Sequence, residues 1–301
     1  MTTDLSRRTL LGALPLAALG FSQARADGLI ERRESQYNTI YITREGPYVA
    51  MQFGVNEQLF TENLYDPARP RFLPMEYTRM MTVSLAYAAT PSKVLEIGLG
   101  GGRTAVYLTD FVPSVSVTTV ELDPEVVAMA AKHFDVRPTP RLRVVTSDGR
   151  IFLTQTRDRY DIIIVDAYRG TFVPFHLTTQ QCFMLAKRRL NPGGVVVQNI
   201  APNVLLTESM VATLQSVFDN VDTFDIAGSV IAIAYDGPAK SAAALAARAT
   251  ALQSQYRFTH PLPQLLRARR TPAKSTRHPL TDDFAPVEHL RGIQAHNARR
   301  K

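Results

Sequence analysis

The chain has one cysteine and no tryptophan in 301 residues. A single cysteine, Cys182, excludes an intramolecular disulfide, so the cysteine count carries no information about the redox compartment. Because Cys182 lies among Phe183 and Met184 in a helical stretch, we expect a buried structural thiol. Apolar runs of the ~20 residues that a transmembrane helix requires are also lacking, so stable membrane insertion is not expected. The six histidines have no spacing suited to a metal site, and no metal is expected.

Positive charge is in surplus, and it is unevenly distributed. The formal net charge is +7, and ten Lys and Arg residues against three acids fall within residues 257–301. We expect this Pro- and Arg-rich segment to be a solvated, partly disordered basic tail. A nucleic-acid-binding protein would instead place a basic, aromatic-interleaved face on its folded core. Nucleic acid is therefore not an expected partner.

Residues 1–26 have the composition of a targeting segment. The pair Arg7-Arg8 precedes a moderately apolar run that ends at Ala24-Arg-Ala26, a small-x-small pattern typical of a cleavage site. The arginine pair resembles a twin-arginine export signal, whose substrates cross the membrane already folded. We therefore expect a periplasmic protein, with a cytoplasmic protein carrying an uncleaved leader as the alternative.

Two regions with different residue patterns follow this segment. Residues 34–62 combine β-branched and aromatic residues around the turn Glu45-Gly-Pro47, which predicts a small N-terminal antiparallel β-sheet. Residues 74–256 alternate between helical and strand patterns, beginning with one long helix predicted over 75–89. This second region is the expected main domain.

The strand pattern of residues 74–256 indicates the fold class. The stretch 162–165 is apolar throughout, as is typical of a parallel strand buried on both faces. Predicted strands at 221–226 and 229–235 are joined by only Ala227-Gly228, which requires an antiparallel hairpin. The sequence therefore predicts an α/β fold with a doubly wound, mostly parallel seven-stranded sheet of the methyltransferase-type, Rossmann-like kind.

A glycine-rich loop is the most informative ligand-binding feature. Four glycines, Gly98, Gly100, Gly101 and Gly102, directly follow a predicted strand, and a helix with free N–H groups begins after them. Glu121 ends the next strand about twenty residues on, where an acid can accept hydrogen bonds from two ribose hydroxyls. The pattern predicts a nucleoside-binding site.

Further polar residues end the neighbouring strands at the same edge of the sheet. Asp148, before Gly149, is placed to contact an adenine amino group or to cap the next helix. Asp166 follows the most hydrophobic strand, where burial should raise its pKa and let it accept a proton from a nucleophilic amine; capping the following loop is the alternative. His176 is interpreted either as a pocket residue or as a structural loop residue. Asp123, before Pro124, is predicted to be a structural helix cap.

Several motifs together resemble the spermidine synthase family, in order and at family spacing over roughly residues 34–236. They are Glu34-Ser-Gln-Tyr-Asn-Thr-Ile40, Val94-Leu-Glu-Ile-Gly-Leu-Gly-Gly-Gly102, Val120-Glu-Leu-Asp123, Ser147-Asp-Gly149 and Tyr160-Asp-Ile-Ile-Ile-Val-Asp166. The segment Thr281-Asp-Asp-Phe-Ala-Pro-Val-Glu288 also resembles a C-terminal motif of spermidine-synthase-like bacterial proteins. The resemblance implies a class I methyltransferase-type domain and S-adenosylmethionine, or its decarboxylated form, as co-substrate.

The resemblance also implies roles for individual residues. Glu121 matches the ribose carboxylate, Asp148 the adenine contact and Asp166 the catalytic aspartate, with Tyr77 lining the acceptor site. The remaining residues expected to contact the nucleoside are Gln58, Gly98, Gly100, Gly101 and Gly149. Homo-oligomerisation is a further expectation from the family.

Three departures from the family pattern weigh against its usual reaction. Gly101 stands where aminopropyltransferases carry an aspartate that holds the amine of the nucleoside, and Arg79 and Arg169 stand where the family has acids. Two arginines would repel a dicationic diamine. These departures favour a ligand that retains its carboxylate, or an anionic acceptor. We expect a transferase that uses S-adenosylmethionine or its decarboxylated form and moves an alkyl, aminopropyl-type group to a small-molecule acceptor. The alternatives are an S-adenosylmethionine-dependent methyltransferase and a non-catalytic exported nucleoside-binding protein.

Overall fold

Two β-sheets organise the chain in a computed structural model that describes residues 28–55, 58–168, 173–200 and 204–283. The first is a four-stranded antiparallel sheet in sequential order, and the second is an eight-stranded sheet. The expected targeting segment at 1–26 lies outside the described residues. So does Arg169, which the sequence analysis expects to repel a diamine.

The N-terminal sheet is longer than the sequence indicates. Its strands are β1 (Leu29–Glu34), β2 (Thr39–Glu45), β3 (Tyr48–Val55) and β4 (Gln58–Tyr65). Ile40, Ile42 and Met51 are fully buried on its inner face. The predicted bounds of 34–62 miss β1, because that strand is largely exposed and carries charges where an alternating apolar pattern would be expected. They also end before the last three residues of β4.

The large sheet has the predicted strand arrangement. Its order is β12-β10-β11-β9-β8-β5-β6-β7. The strands are β5 (Lys93–Ile97), β6 (Ser116–Glu121), β7 (Leu142–Thr146), β8 (Tyr160–Val165), β9 (Leu190–Ile200), β10 (Asn220–Ile226), β11 (Ser229–Tyr235) and the short β12 (Arg269–Arg270). The pairs from β7 to β9 are parallel, whereas β11 runs antiparallel between β9 and β10. The predicted seven strands and their closing hairpin are confirmed, and β12 adds an edge strand.

Helices cover both faces of the large sheet, so each face has its own apolar core. In chain order the helices are α1 (Glu76–Met81), α2 (Ser84–Tyr87), α3 (Arg103–Phe111), α4 (Pro124–His133), α5 (Gly149–Gln155), α6 (Gln180–Arg188), α7 (Val204–Gln215), α8 (Ala242–Tyr256) and α9 (Leu262–Leu265). The single helix predicted over 75–89 is wrong: the chain turns at Thr82, whose hydroxyl donates to the Arg79 carbonyl at 2.7 Å. Hydroxyl bonds of this kind compete with the helical ladder. Every helix within the described residues falls short of the length and hydrophobicity that a membrane span requires.

The C-terminal segment is packed as far as Asp283. Leu280 is buried, its N–H donates to Thr213 Oγ1 at 2.8 Å, and its carbonyl accepts from the N–H of Gln180 at 2.8 Å. The expected solvated tail from residue 257 is therefore wrong for 257–283, and 284–301 lie outside the described residues. The prediction that Cys182 is buried is confirmed.

Candidate functional site

A cavity of about 1200 Å³ opens at the carboxyl ends of β5, β6 and β8, with the N-terminal sheet forming its opposite wall. Its walls are acidic. Six carboxylates line it: Glu62, Glu76, Glu121, Asp123, Asp148 and Asp166. Among the described residues, no Lys or Arg belongs to the lining, and His176 is its one basic side chain. An enclosed acidic wall concentrates cations, so the cavity is suited to a positively charged ligand.

The glycine loop brings the backbone against this cavity. Gly98 has φ +96°, and a Cβ there would overlap the Asp166 carbonyl, so glycine is required. Gly98, Gly100 and Gly149 all line the cavity, and their contact with a nucleoside stays a prediction. Gly101 does not, because the position of a Cβ there lies 2.8 Å from Asn63 and from Phe134. An aspartate at 101 would collide with the N-terminal sheet and with the residue after α4.

Glu121 is fixed by the main chain at the end of β6. Its carboxylate accepts from the N–H of Leu99 at 2.9 Å and from the N–H of Asp123 at 3.0 Å. Burial raises the pKa of Glu121, and these backbone donors oppose the rise. The carboxylate lies beside the glycine loop, where the sequence predicts the ribose contact.

Asp123 caps α4, as predicted, and also joins the two sheets. Its side chain accepts from the Glu125 N–H at 2.9 Å, with Pro124 at the first helical position. It also accepts from the Ser35 hydroxyl at 2.5 Å. The residues after β1 are therefore tied to the ligand-binding edge, and Tyr37 and Asn38 from the same turn line the cavity.

Asp148 both caps a helix and lines the cavity. One carboxylate oxygen accepts from the N–H groups of Arg150 and Ile151 at 2.9 Å, and the other lies 2.8 Å from His176 Nε2. The His176 hydrogen bond is the main reason that the pKa of Asp148 is lowered. The helix cap predicted for Asp148 is therefore confirmed, its adenine contact stays a prediction, and His176 belongs to the pocket.

Asp166 is half-buried at the end of β8, and one side chain donates a hydrogen bond to its carboxylate. Asn199 Nδ2 donates to it at 2.8 Å. Burial raises the pKa of Asp166 to about 7, and the Asn199 bond offsets only part of that rise. A carboxylate with a pKa near neutrality is suited to general-base chemistry, as the sequence predicts.

Tyr77 reaches the cavity from α1 and is held by the N-terminal sheet. Its hydroxyl donates to the Glu62 carbonyl at 2.7 Å. Burial together with nearby Asp166 raises the pKa of Tyr77 well above its usual value, so the phenol stays protonated. Tyr77 is therefore a neutral hydrogen-bonding wall residue beside Asp166.

Two arguments from the sequence are not supported by the placement of their residues. Gln58 is exposed at the start of β4 and is not among the lining residues. Arg79 donates to the Leu73 carbonyl at 3.3 Å and lies over the Phe72 ring, away from the cavity wall. Arg79 is therefore not placed to repel a diamine in the cavity, and that expectation is wrong.

Glu62 is the main residue that the sequence analysis missed. It lines the cavity, and burial, with Asp166 and Glu121 nearby, raises its pKa to about 8. Glu62 falls inside the N-terminal sheet predicted over 34–62, but the sequence analysis gives it no role. Glu62 is the one charged residue in the strand sequence 58–65, and this charge is the signal that could have identified it.

The fold and the site define a nucleoside-dependent transferase of the class I methyltransferase type. The strand order, the glycine loop and the strand-end acid Glu121 are the features that place it in this class. The chain belongs to the spermine/spermidine synthase family, whose domain matches residues 75–242. Among the described residues, no group of three or more His, Cys, Asp or Glu side chains is arranged to hold a metal ion.

The chain is similar in sequence to two kinds of enzyme and shares its fold with a solved structure. The chain is 30% identical over 203 residues to a polyamine aminopropyltransferase of Vibrio vulnificus, covering 66% of this chain and 68% of that protein. It is 29% identical over 178 residues to an eEF1A lysine and N-terminal methyltransferase of Bos taurus, covering 53% of this chain and 26% of that protein. Its fold is similar to a probable spermidine synthase of Corynebacterium glutamicum, with a TM-score of 0.65, 20% identity, and coverage of 85% of this chain and 98% of that one.

Proposed function

We propose that this protein transfers the aminopropyl group of decarboxylated S-adenosylmethionine to a small aliphatic amine. The observation that carries the proposal is the acidic cavity, which contains six carboxylates and, among the described residues, neither Lys nor Arg. Both substrates are cations, and a diamine acceptor carries two positive charges. Such ligands complement this wall, whereas a ligand with its own carboxylate does not.

The residues suggest how the reaction proceeds. Glu121 accepts hydrogen bonds from the ribose, which holds the nucleoside against the glycine loop. Asp166 then removes a proton from the acceptor ammonium, and the free amine nitrogen attacks the methylene carbon attached to the sulfonium sulfur. The new N–C bond forms as the C–S bond breaks, and methylthioadenosine leaves with the electron pair on sulfur. The protein contributes mainly alignment and one proton transfer.

Product identity tests this function directly. Purified protein is incubated with decarboxylated S-adenosylmethionine and 1,4-diaminobutane, and in parallel with S-adenosylmethionine and the same amine. We expect methylthioadenosine and an aminopropylated amine in the first reaction, detected by mass spectrometry. Formation of S-adenosylhomocysteine and a methylated amine in the second reaction, with no product in the first, would overturn the proposal.

Methyl transfer to an amine is the second candidate function. Gly101 provides no acid in the glycine loop, and the matched methyltransferase relative supports an amine acceptor with a different donor. Its chemistry would use the same general base. The two functions differ in the donor, and the product assay separates them.

We also propose that residues 1–26 direct twin-arginine export and that the protein forms a homo-oligomer. Replacing Arg7 and Arg8 by lysine in a tagged full chain should shift the protein from the periplasmic to the cytoplasmic fraction. An unchanged distribution would exclude that signal. Light scattering of the purified protein measures the oligomeric state, and a monomer at all concentrations would exclude the second proposal.

A further inference from the structure

Glu62 occupies a break in the pairing of the N-terminal sheet. Asn63 pairs with Met51 and Thr61 pairs with Gln52, so Glu62 is left without a partner across the β3–β4 ladder. An extra residue of this kind is a β-bulge, which turns a side chain out of the regular alternation and is common next to active sites. Here the bulge places Glu62 and Asn63 next to each other in the cavity wall.

Two acceptor atoms of this bulge have no donor. Glu62 Oε1 and Asn63 Oδ1 are both shielded from solvent and have no hydrogen-bond partner in the described part of the chain. A buried acceptor without a partner destabilises the folded state, and native proteins rarely retain one without a reason. Since both residues line the cavity, a ligand donor group is the partner that their positions can accept.

The charges around the bulge indicate what kind of donor is missing. Asp166 and Glu121 face Glu62 across the cavity, and both raise its pKa. Glu96 is also buried, and its burial together with the charge of Asp166 raises the pKa of Glu96. Tyr77 donates to the Glu62 main-chain carbonyl rather than to its carboxylate. No cation of the described chain balances this group of acids. A ligand cation with several N–H donors would satisfy both the charge and the free acceptors.

We propose that Glu62 and Asn63 form a subsite that binds the primary ammonium group of a substrate. The inference rests on the proposed function and deepens it, because it assigns the amine recognition that the glycine loop does not provide. At Gly101 the space that a side chain would fill is taken by Asn63 itself, so the neighbouring bulge supplies the carboxylate from the other wall. The ammonium belongs either to the aminopropyl chain of the donor or to the acceptor.

Calorimetry on the variant Glu62→Gln tests the subsite and separates these two sources. If the donor amine binds here, the affinity for decarboxylated S-adenosylmethionine falls about 10- to 100-fold, the loss expected for a charge-assisted hydrogen bond. Methylthioadenosine, which lacks the aminopropyl chain, should bind the variant as it binds the wild type. If the acceptor amine binds here, the affinity for 1,4-diaminobutane falls instead and that for the donor is unchanged.

Two comparisons make the test specific. Glu45→Gln removes a carboxylate from an exposed position on the same sheet and should leave both affinities unchanged. Glu62→Asp, which keeps the charge, should recover part of the lost affinity. Because Glu62 has a pKa of about 8, wild-type affinity for the ammonium ligand should rise as the pH increases through 8, and this rise should be missing in Glu62→Gln. Any rise in affinity near pH 7 that comes from the ionisation of Asp166 should persist in Glu62→Gln.

The outcomes distinguish the subsite from the reaction. If the wild type binds both ligands and Glu62→Gln binds them with the same affinities, the subsite is overturned and the proposed function stands. A wild-type protein that binds neither ligand would overturn both. Equal weakening of methylthioadenosine and of its aminopropyl-bearing parent would also overturn the subsite, since the loss would then not depend on the amine.

Discussion

The side chain of Asp166 combines burial, a single donor and a position facing the cavity. Because the pKa of Asp166 is raised to about 7, this side chain is ionised in about half of the protein molecules at neutral pH. Only the ionised form accepts a proton. We expect Asp166→Asn to lower kcat by roughly 10²- to 10⁴-fold while the nucleoside still binds. The rate of the wild type should rise as the pH increases through about 7, and this rise should be lost in the variant. Steady-state kinetics between pH 5.5 and 8.5 measure both. An unchanged kcat would exclude Asp166 as the base.

Gly101 illustrates how a single position limits what the loop can carry. A side chain there meets Asn63 and Phe134 at 2.8 Å, so Gly101→Asp should not restore an amine-binding acid. We expect the substitution to lower the free energy of unfolding by roughly 1–3 kcal/mol, as overpacking does. Denaturant titration measures this loss.

The matched variant for Gly101 is the pair Gly101→Asp with Asn63→Gly, which removes both colliding atoms of Asn63, Cβ and Cγ. It should be more stable than Gly101→Asp combined additively with Asn63→Gly. Strict additivity would show that Asn63 does not limit this position.

The contact between α5 and the C-terminal segment orders one side of the cavity. Arg150 donates to both oxygens of Asp282, at 2.7 and 2.5 Å, and to the His176 carbonyl at 3.1 Å. His176 in turn bonds to Asp148. We expect Arg150→Gln to weaken nucleoside binding about five- to tenfold, because about 1 kcal/mol of positioning is lost. Titration calorimetry with methylthioadenosine measures the affinity.

A surface pair provides the comparison for Arg150. Arg137 pairs with Asp135 at 2.8 Å on an exposed loop, where such pairs contribute little. Arg137→Gln should leave the affinity unchanged. If both variants weakened binding equally, the effect would reflect net charge rather than the contact with Asp282.

Elements with strong local patterns were predictable from the sequence, and those that depend on tertiary contacts were not. The strand 162–165 could be identified because it is apolar throughout, which is typical of a strand buried on both faces. The break at Thr82 depends on a hydroxyl that also bonds to His260, 178 residues away in sequence. β1 has an exposed, charged sequence and exists because it pairs with β2.

The same distinction applies to the site. Glu121, Asp148 and Asp166 follow parallel strands, and the carboxyl ends of such strands converge, so their grouping could be predicted. Glu62 comes from another sheet through a bulge, which no periodicity indicates. Arg79 was assigned to the cavity by its place in a motif, but its helix presents it elsewhere.

His260 connects distant parts of the whole chain, and its titration should therefore affect global stability. Its ring lies 2.9 Å from Thr82 Oγ1 and 3.2 Å from the Tyr107 hydroxyl, and burial lowers its pKa to about 4. An unfolded histidine has a pKa of about 6.5, so between pH 4 and 6.5 the unfolded chain binds more protons. The stability from this residue is therefore complete above pH 6.5 and is lost as the pH falls through about 4.

The variant His260→Gln measures this contribution. The difference in free energy of unfolding between wild type and variant should be largest above pH 6.5 and should shrink by on the order of 1–3 kcal/mol toward pH 4. Glu62 and Asp166 act in the opposite direction, because their raised pKa values favour the folded state at low pH. Both proteins contain these two acids, so their contributions cancel in the difference between wild type and variant. A difference that does not vary with pH would contradict the burial of a neutral His260.

The balance of charge in the cavity is the centre of this account, and one comparison of affinities tests it most directly. S-adenosylmethionine and its decarboxylated form share the nucleoside and the amine, and they differ by one carboxylate. A cavity lined by six acids should repel that carboxylate. Titration calorimetry on the wild type at pH 8 should therefore give a Kd for decarboxylated S-adenosylmethionine at least about tenfold lower than for S-adenosylmethionine. Equal affinities, or tighter binding of S-adenosylmethionine, would contradict the account.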